Sequence, residues 1–123
     1  MKKLGFEFDQ DLREVSTKDL AYVGDAVFEL YCRLRFSFDS KNVREHVNAA
    51  SQASMFDLVE PFLEIDEKAV AMRGRNLKGY RSKDPLYRKA TALESVIGYL
   101  FLSGKDDRLE KILSFVVTYS HHL

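Results

Sequence analysis

Residues 20–32 and 90–102 constrain the fold more than any other part of the chain, because each is apolar almost all the way round a helix. The first holds ten apolar positions in thirteen, with Asp25 and Glu29 as its charges; the second holds Glu94 as its single charge. A helix that is hydrophobic on every side has to be covered on more than one side, so both segments belong in a packed interior. Gly24 and Gly98 lie near their middles. A glycine inside a helix costs roughly 1 kcal/mol against alanine, a loss usually offset by close backbone approach. The two helices are therefore expected to cross, bringing Asp25 and Glu94 together.

The rest of the chain fits around such a pair. Hydrophobic periodicity is helical nearly throughout, and six glycines and two prolines are too few for a strand-rich sandwich. At 123 residues, roughly two-thirds of the unfolded surface can be buried, enough for one core. The reading is an all-α single domain over residues 1–123. Ser16 or Thr17 caps a helix to about Arg35, with Leu20, Val23, Val27, Leu30, Tyr31 and Leu34 as its core stripe. Asp25 then falls on the opposite side, beside Ala21, Phe28 and Cys32, a second apolar face suited to another protomer. Asp39 or Ser40 opens a helix over about Val43 to Ala53 that continues or kinks near Ser54, before Pro61. A short helix from Asp66 to Met72 leads into a glycine-punctuated segment, Arg73 to Gly79. Asp84-Pro85 starts the next helix, which runs to about Leu102 with Gly104 as its stop, and Asp106 opens a last helix to about Tyr119.

Charge and cysteine content narrow the function classes. Nineteen basic residues balance nineteen acidic ones, so any affinity for nucleic acid must come from charge distribution. Residues 73–89 supply it, with seven basic residues against Asp84 alone, a local +6. A single cysteine, Cys32, excludes an intramolecular disulfide and fits a reducing, cytoplasmic setting. No apolar run is long enough for a membrane span, and the N-terminus lacks the apolar core of a secretory signal. His46, His121 and His122 have no acid or thiol at zinc-ligand spacing, and Cys32 within an apolar helix reads as packing, not as a nucleophile.

A carboxylate in apolar surroundings must be paired, hydrogen-bonded or protonated, because desolvating it alone costs several kcal/mol. Asp25 and Glu94 have no obvious basic partner one turn away. A divalent cation satisfies them, as does a cap or a cross-helix pair to Arg or Lys; spacing alone leaves these alternatives open. Glu29 shares the face of Asp25 one turn later and reads as structural. Thr91 either orients a water near Glu94 or bonds back to a helix carbonyl.

Tyr22-Val23-Gly24-Asp25-Ala26-Val27-Phe28-Glu29-Leu30 resembles the signature helix of the ribonuclease III catalytic domain. Together with Leu20-Ala21, Arg73-Gly74-Arg75-Asn76, Ala90-Thr91-Ala92-Leu93-Glu94-Ser95 and Ile97-Gly98-Tyr99-Leu100, it is most similar to the Mini-ribonuclease III branch of that family. The resemblance implies a dimeric, all-helical, Mg²⁺-dependent endoribonuclease that cuts double-stranded RNA without an appended double-stranded-RNA-binding domain. It further implies maturation of the ends of the 23S ribosomal RNA precursor, and it admits an accessory ribosomal protein. Carried over position by position, it makes Asp25 and Glu94 the catalytic and metal-holding residues. Full-length ribonuclease III has further acids where this chain has Ala21 and Thr91, and its signature begins with glutamate where this chain has Lys18.

Under the same resemblance the 73–89 window grips RNA. Arg73, Arg75, Asn76, Lys78, Arg81 and Lys83 contact the duplex, with Gly74 and Gly79 freeing the backbone to approach phosphates, and Arg44 and Gln52 reach the same duplex. A-form RNA hides its base edges, so shape, phosphate and 2′-hydroxyl would be read. The rival readings are a catalytically inactive double-stranded-RNA-binding module and a plain dimerisation domain, with Asp25 kept for helix packing and the basic segment merely solvated.

Overall fold

The structure is a computed structural model that describes residues 2–79 and 83–120. Helices α1 (Thr17–Arg35), α2 (Ser40–His46), α3 (Ala49–Val59), α4 (Ile65–Arg75), α5 (Pro85–Leu102) and α6 (Asp106–Tyr119) carry the fold, as the all-α reading expects. A small antiparallel hairpin, β1 (Lys2–Lys3) and β2 (Phe6–Glu7), precedes them. Its two turn residues, Leu4 and Gly5, both have positive φ (53° and 84°), the backbone that a two-residue hairpin turn with right-handed strand twist requires. Among the described residues, no helix is long and apolar enough to cross a membrane.

Local capping chemistry sets most boundaries. Ser16 Oγ accepts the Asp19 N–H at 3.0 Å, and Asp84 Oδ1 accepts the Leu86 N–H at 3.0 Å ahead of Pro85. Gly104, at φ 73°, lets the chain leave α5 and turn into α6. Two boundaries differ from the sequence expectation. Asn48 is extended, and its Oδ1 accepts the Ser51 N–H at 2.9 Å, so the helix expected over Val43 to Ala53 is split into α2 and α3. The side chain offers the backbone a local alternative to continuing the helix. In addition, α4 continues through Arg73, Gly74 and Arg75. Gly74 is therefore not a loop residue open to phosphate. It is buried against α5, where a Cβ would collide with the Ser95 hydroxyl.

Helix α5 is the centre of the molecule, packing against α1, α3, α4 and α6. Ala92, Leu93, Val96, Ile97 and Leu100 are buried along it, and Phe28, Met55 and Phe56 close over them from α1 and α3. The face of α1 that meets α5 is the row Leu20, Gly24, Phe28, Cys32. This corrects the expected stripe: Leu30 and Leu34 are exposed, while Val23, Val27 and Tyr31 are half-buried. The i,i+4 row containing a glycine approaches more closely than the bulkier Leu/Val row can, and ridge-into-groove packing selects it. His46 is a core residue, its Nδ1 2.8 Å from the Asn42 carbonyl and its ring 4.5 Å from that of Phe36. Gln52 is buried, so it does not reach a duplex.

Where α1 and α5 cross, a Cβ on Gly24 would fall onto the Glu94 carbonyl, and a Cβ on Gly98 onto the Leu20 carbonyl. Neither obstacle is a side chain that can swing away, so the helices themselves would have to part. Gly24→Ala and Gly98→Ala are each expected to lower stability by about 3 kcal/mol or more. Urea unfolding of the two variants beside the parent measures it.

Candidate active-site cleft

The crossing determines where the carboxyls point. Asp25 follows the glycine that touches the Glu94 backbone, so both side chains leave the contact together. Their carboxyl groups are within hydrogen-bond contact, with Asp25 exposed and Glu94 half-buried. Burial, then the hydrogen bond and the charge of Asp25, push the Glu94 carboxyl from its ordinary 4.5 up to about 9. At neutral pH Glu94 therefore keeps its proton and donates it to an oxygen of the Asp25 carboxyl group. Among the described residues, neither carboxyl forms a salt bridge with a lysine or arginine.

The pair opens into a cleft of about 540 Å³ walled by Lys18, Tyr22, Leu77, Tyr87 and Thr91. Two carboxyl oxygen donors beside a space that admits water and a phosphate group fit a hard divalent cation, which would replace the shared proton. A second acidic group, Glu64, Asp66 and Glu67, lies at the start of α4 with its oxygens within 4.8 Å of one another. Here protein cations already do the neutralising. Arg108 holds Glu67 through two N–H donors at 2.8 Å, and Lys105 Nζ and the Tyr99 hydroxyl donate to Asp66 at 2.6 and 2.7 Å. Lys105 and Tyr99 hold Asp66 down to about 2. Burial opposes ionisation of Glu67, yet Arg108 and the Glu64 N–H keep its carboxyl below the usual range.

The other residues singled out in the sequence are placed as follows. Glu29 pairs with Arg33 at 3.5 Å, a structural partner one turn on. Thr91 Oγ1 donates back to the Tyr87 carbonyl at 2.9 Å. Burial pushes the Cys32 thiol up to about 12, so it is no nucleophile. In the basic window, Arg75 faces Glu60 at 3.6 Å and Lys89 pairs with Asp57 at 2.9 Å. Arg88 donates to the Arg75 carbonyl at 2.8 Å and to Asn76 Oδ1 at 3.2 Å, fastening the end of α4 to α5. Arg73, Lys78 and Lys83 are exposed, as is Arg44 on α2. Arg81, His121 and His122 lie outside the described residues.

One residue that the sequence reading notes only as a departure from a family signature enters the site. Lys18 lines the acidic cleft and also a smaller cavity of about 200 Å³ that continues past Leu77 and Tyr87 to Lys78 and Arg88. A lone lysine in the first turn of a helix carries no spacing signal, so only the fold could bring it there.

Comparison with known proteins is consistent with this geometry. Residues 18–105 match the Ribonuclease III domain. The chain is 36% identical to the Mini-ribonuclease 3 of Kosmotoga olearia, covering 90% of this chain and 83% of that protein. It is 38% identical to the Mini-ribonuclease 3 of Gloeobacter violaceus, covering 90% and 89%. A crystal structure of a protein from Fusobacterium nucleatum superposes with a TM-score of 0.76 at 33% identity, covering 89% of this chain and 98% of that one.

The raised Glu94 carboxyl has a consequence for stability. Folded Glu94 keeps its proton up to about pH 9, while the unfolded chain releases it near 4.5, so this contribution is complete below about pH 4.5 and is lost as pH rises toward 9. Glu94→Gln should remove that loss. Without divalent ions, the melting temperature of the variant relative to the parent is expected to rise steadily from pH 5 to pH 9, a trend that differential scanning calorimetry follows directly.

Proposed function

The chain belongs to the ribonuclease III family, in its Mini-ribonuclease III branch, and is an endoribonuclease; from that premise we propose that Asp25 and Glu94 form its catalytic centre by holding Mg²⁺. The observation that carries the proposal is the carboxyl pair itself. It is forced together by a backbone crossing and lacks a basic partner among the described residues, whereas the acids of α4 are neutralised by Arg108 and Lys105. When bound, the ion would lower the pKa of a coordinated water and offset charge on the phosphodiester.

This chain's own residues do the rest. Asp25, on the exposed side of α1, offers a carboxyl group to the cleft. Glu94 gives up its proton to become the second anionic donor, so occupancy is expected to rise with pH. Tyr22, Leu77 and Tyr87 wall the cleft, and Thr91, with its hydroxyl turned back to a carbonyl, keeps α5 packed there. Lys78, Arg73, Lys83 and Arg81 supply phosphate contacts, while Arg75 and Asn76 act from behind by fixing the end of α4. The family acts on double-stranded RNA, and the substrate we assign within that class is the paired end of the 23S ribosomal RNA precursor, alone or with a ribosomal protein bound to it. Cleavage leaves 5′-phosphate and 3′-hydroxyl ends, in the cytoplasm.

The proposed unit is a homodimer. Leu30, Leu34 and Phe38 follow one another along the outer side of α1 and the turn after it, at 56%, 60% and 72% exposure. Such a strip, beside the half-buried Val23 and Val27, suits an isologous contact. Two carboxyl pairs on one face would then address both strands of a duplex. Sedimentation at micromolar concentration is expected to give a dimer, and Leu30→Asp/Leu34→Asp a folded monomer.

The central test is cleavage of a labelled RNA stem with Mg²⁺. Asp25→Asn, with unchanged circular dichroism and unchanged affinity for the stem, is expected to lose about 10³-fold or more in cleavage rate, and Glu94→Gln a comparable amount. Undiminished cleavage by Asp25→Asn would refute the assignment. Accumulation of unprocessed 23S precursor ends in a strain lacking the protein tests the substrate.

A further inference from the structure

The acidic cleft and the smaller cavity beside it share a wall made by Lys18, Leu77, Tyr87 and Thr91. They therefore form one groove with two electrically different ends. At one end stand Asp25 and Glu94; at the other stand Lys78 and Arg88, and Lys18 lines both. Among the described residues, none of these three cations has a carboxylate partner. The Arg88 guanidinium is instead anchored by two neutral acceptors, the Arg75 carbonyl and Asn76 Oδ1, which fix its position and leave its charge unopposed. By contrast, Lys89 on the same helix is neutralised by Asp57, and Arg75 at the end of α4 by Glu60. A cavity that gathers three unneutralised cations from α1, α5 and the segment after α4 is built to receive an anion.

We infer that Lys18, with Lys78 and Arg88, forms a phosphate subsite that holds the backbone phosphate next to the one cleaved at Asp25 and Glu94, and so sets which bond lies at the carboxyl pair. The inference rests on the proposed role of that pair. An RNA strand laid along the groove presents phosphates in succession. The acidic end can accept one only with a cation present, whereas the basic end accepts the next directly by charge-assisted hydrogen bonds. Lys18 is the member that belongs to both ends, and it reaches the groove from the helix that carries Asp25. Moving the strand by one nucleotide would take a phosphate away from it. Lys18 is thus a positioning residue: it acts on the flanking phosphate and through it on the register of the reacting one. Its contribution is uniform binding, equal in ground and transition states, which separates it kinetically from Asp25.

The experiment measures binding and steady-state cleavage of a blunt synthetic RNA duplex by the full chain, its Lys18→Ala and Lys18→Arg variants, and Asp25→Asn as reference, across a series of salt concentrations with Mg²⁺. Lys18→Ala is expected to raise KM roughly tenfold with kcat within a factor of about two. It should also reduce the slope of log affinity against log salt by about one and spread the cleavage products over neighbouring bonds. Lys18→Arg, which keeps the charge, is expected to restore the slope. An unchanged KM and salt slope in Lys18→Ala would overturn the subsite, as would a loss confined to kcat or a Lys18→Arg variant as defective as the alanine. Full cleavage by Asp25→Asn would instead sink the carboxyl assignment, and the salt slopes, read from binding alone, would still judge Lys18.

Discussion

Two missing Cβ atoms organise this molecule. Gly24 and Gly98 let α1 and α5 touch backbone to backbone, each against a carbonyl of the other helix. The meeting of the two carboxyls in the cleft follows from that contact, because Asp25 and Glu94 are neighbours of the touching atoms. The arrangement also explains why a carboxyl is tolerated on the most buried helix of the chain. Glu94 lies at the rim of the contact, half-covered, where its proton or a cation can reach it from the cleft.

The two acidic groups of the protein show how surroundings divide stability from chemistry. At the start of α4, Glu67 is fully enclosed, but Arg108 meets it with paired donors and also binds the Phe62 carbonyl, so the charge is spent on joining α6 to α4. Breaking such a pair would strand a buried charge. At the crossing, by contrast, the neutralising partner is a single proton shared between two carboxyls, the kind of partner a metal ion can displace. Three acids gathered in one place are thus neutralised within the protein, and the two-acid pair is the one we propose as reactive.

Much of the helical frame was legible from caps alone: Ser16, Asp39, Asp84-Pro85 and Gly104 act where their chemistry says they should. The crossing was legible too, since interior glycines in apolar helices need a reason. Periodicity failed where two faces of one helix were both apolar. The Leu/Val stripe of α1 looked like the core face, yet the smaller row of Leu20, Gly24, Phe28 and Cys32 packs more closely and lies inside. Asn48 acts as a cap although the apolar pattern runs on through it, and Gly74, expected to free the backbone toward phosphate, is instead a packing surface. Composition could not decide between a cation and an arginine for Asp25; family likeness suggested the answer, and among the described residues no lysine or arginine forms a salt bridge with it. The basic window was overcounted for the opposite reason, since Arg75 and Lys89 spend their charge on Glu60 and Asp57.

Because the crossing is made of main-chain atoms, its demands on the gene are independent of what the enzyme does. A descendant that exchanged Asp25 and Glu94 for other small or polar side chains would still meet the same carbonyl obstacles at 24 and 98, and any side chain there would weaken its fold. Inherited shape would then outlast inherited trade, and in a lineage of silent copies the two glycines would be the last letters to change.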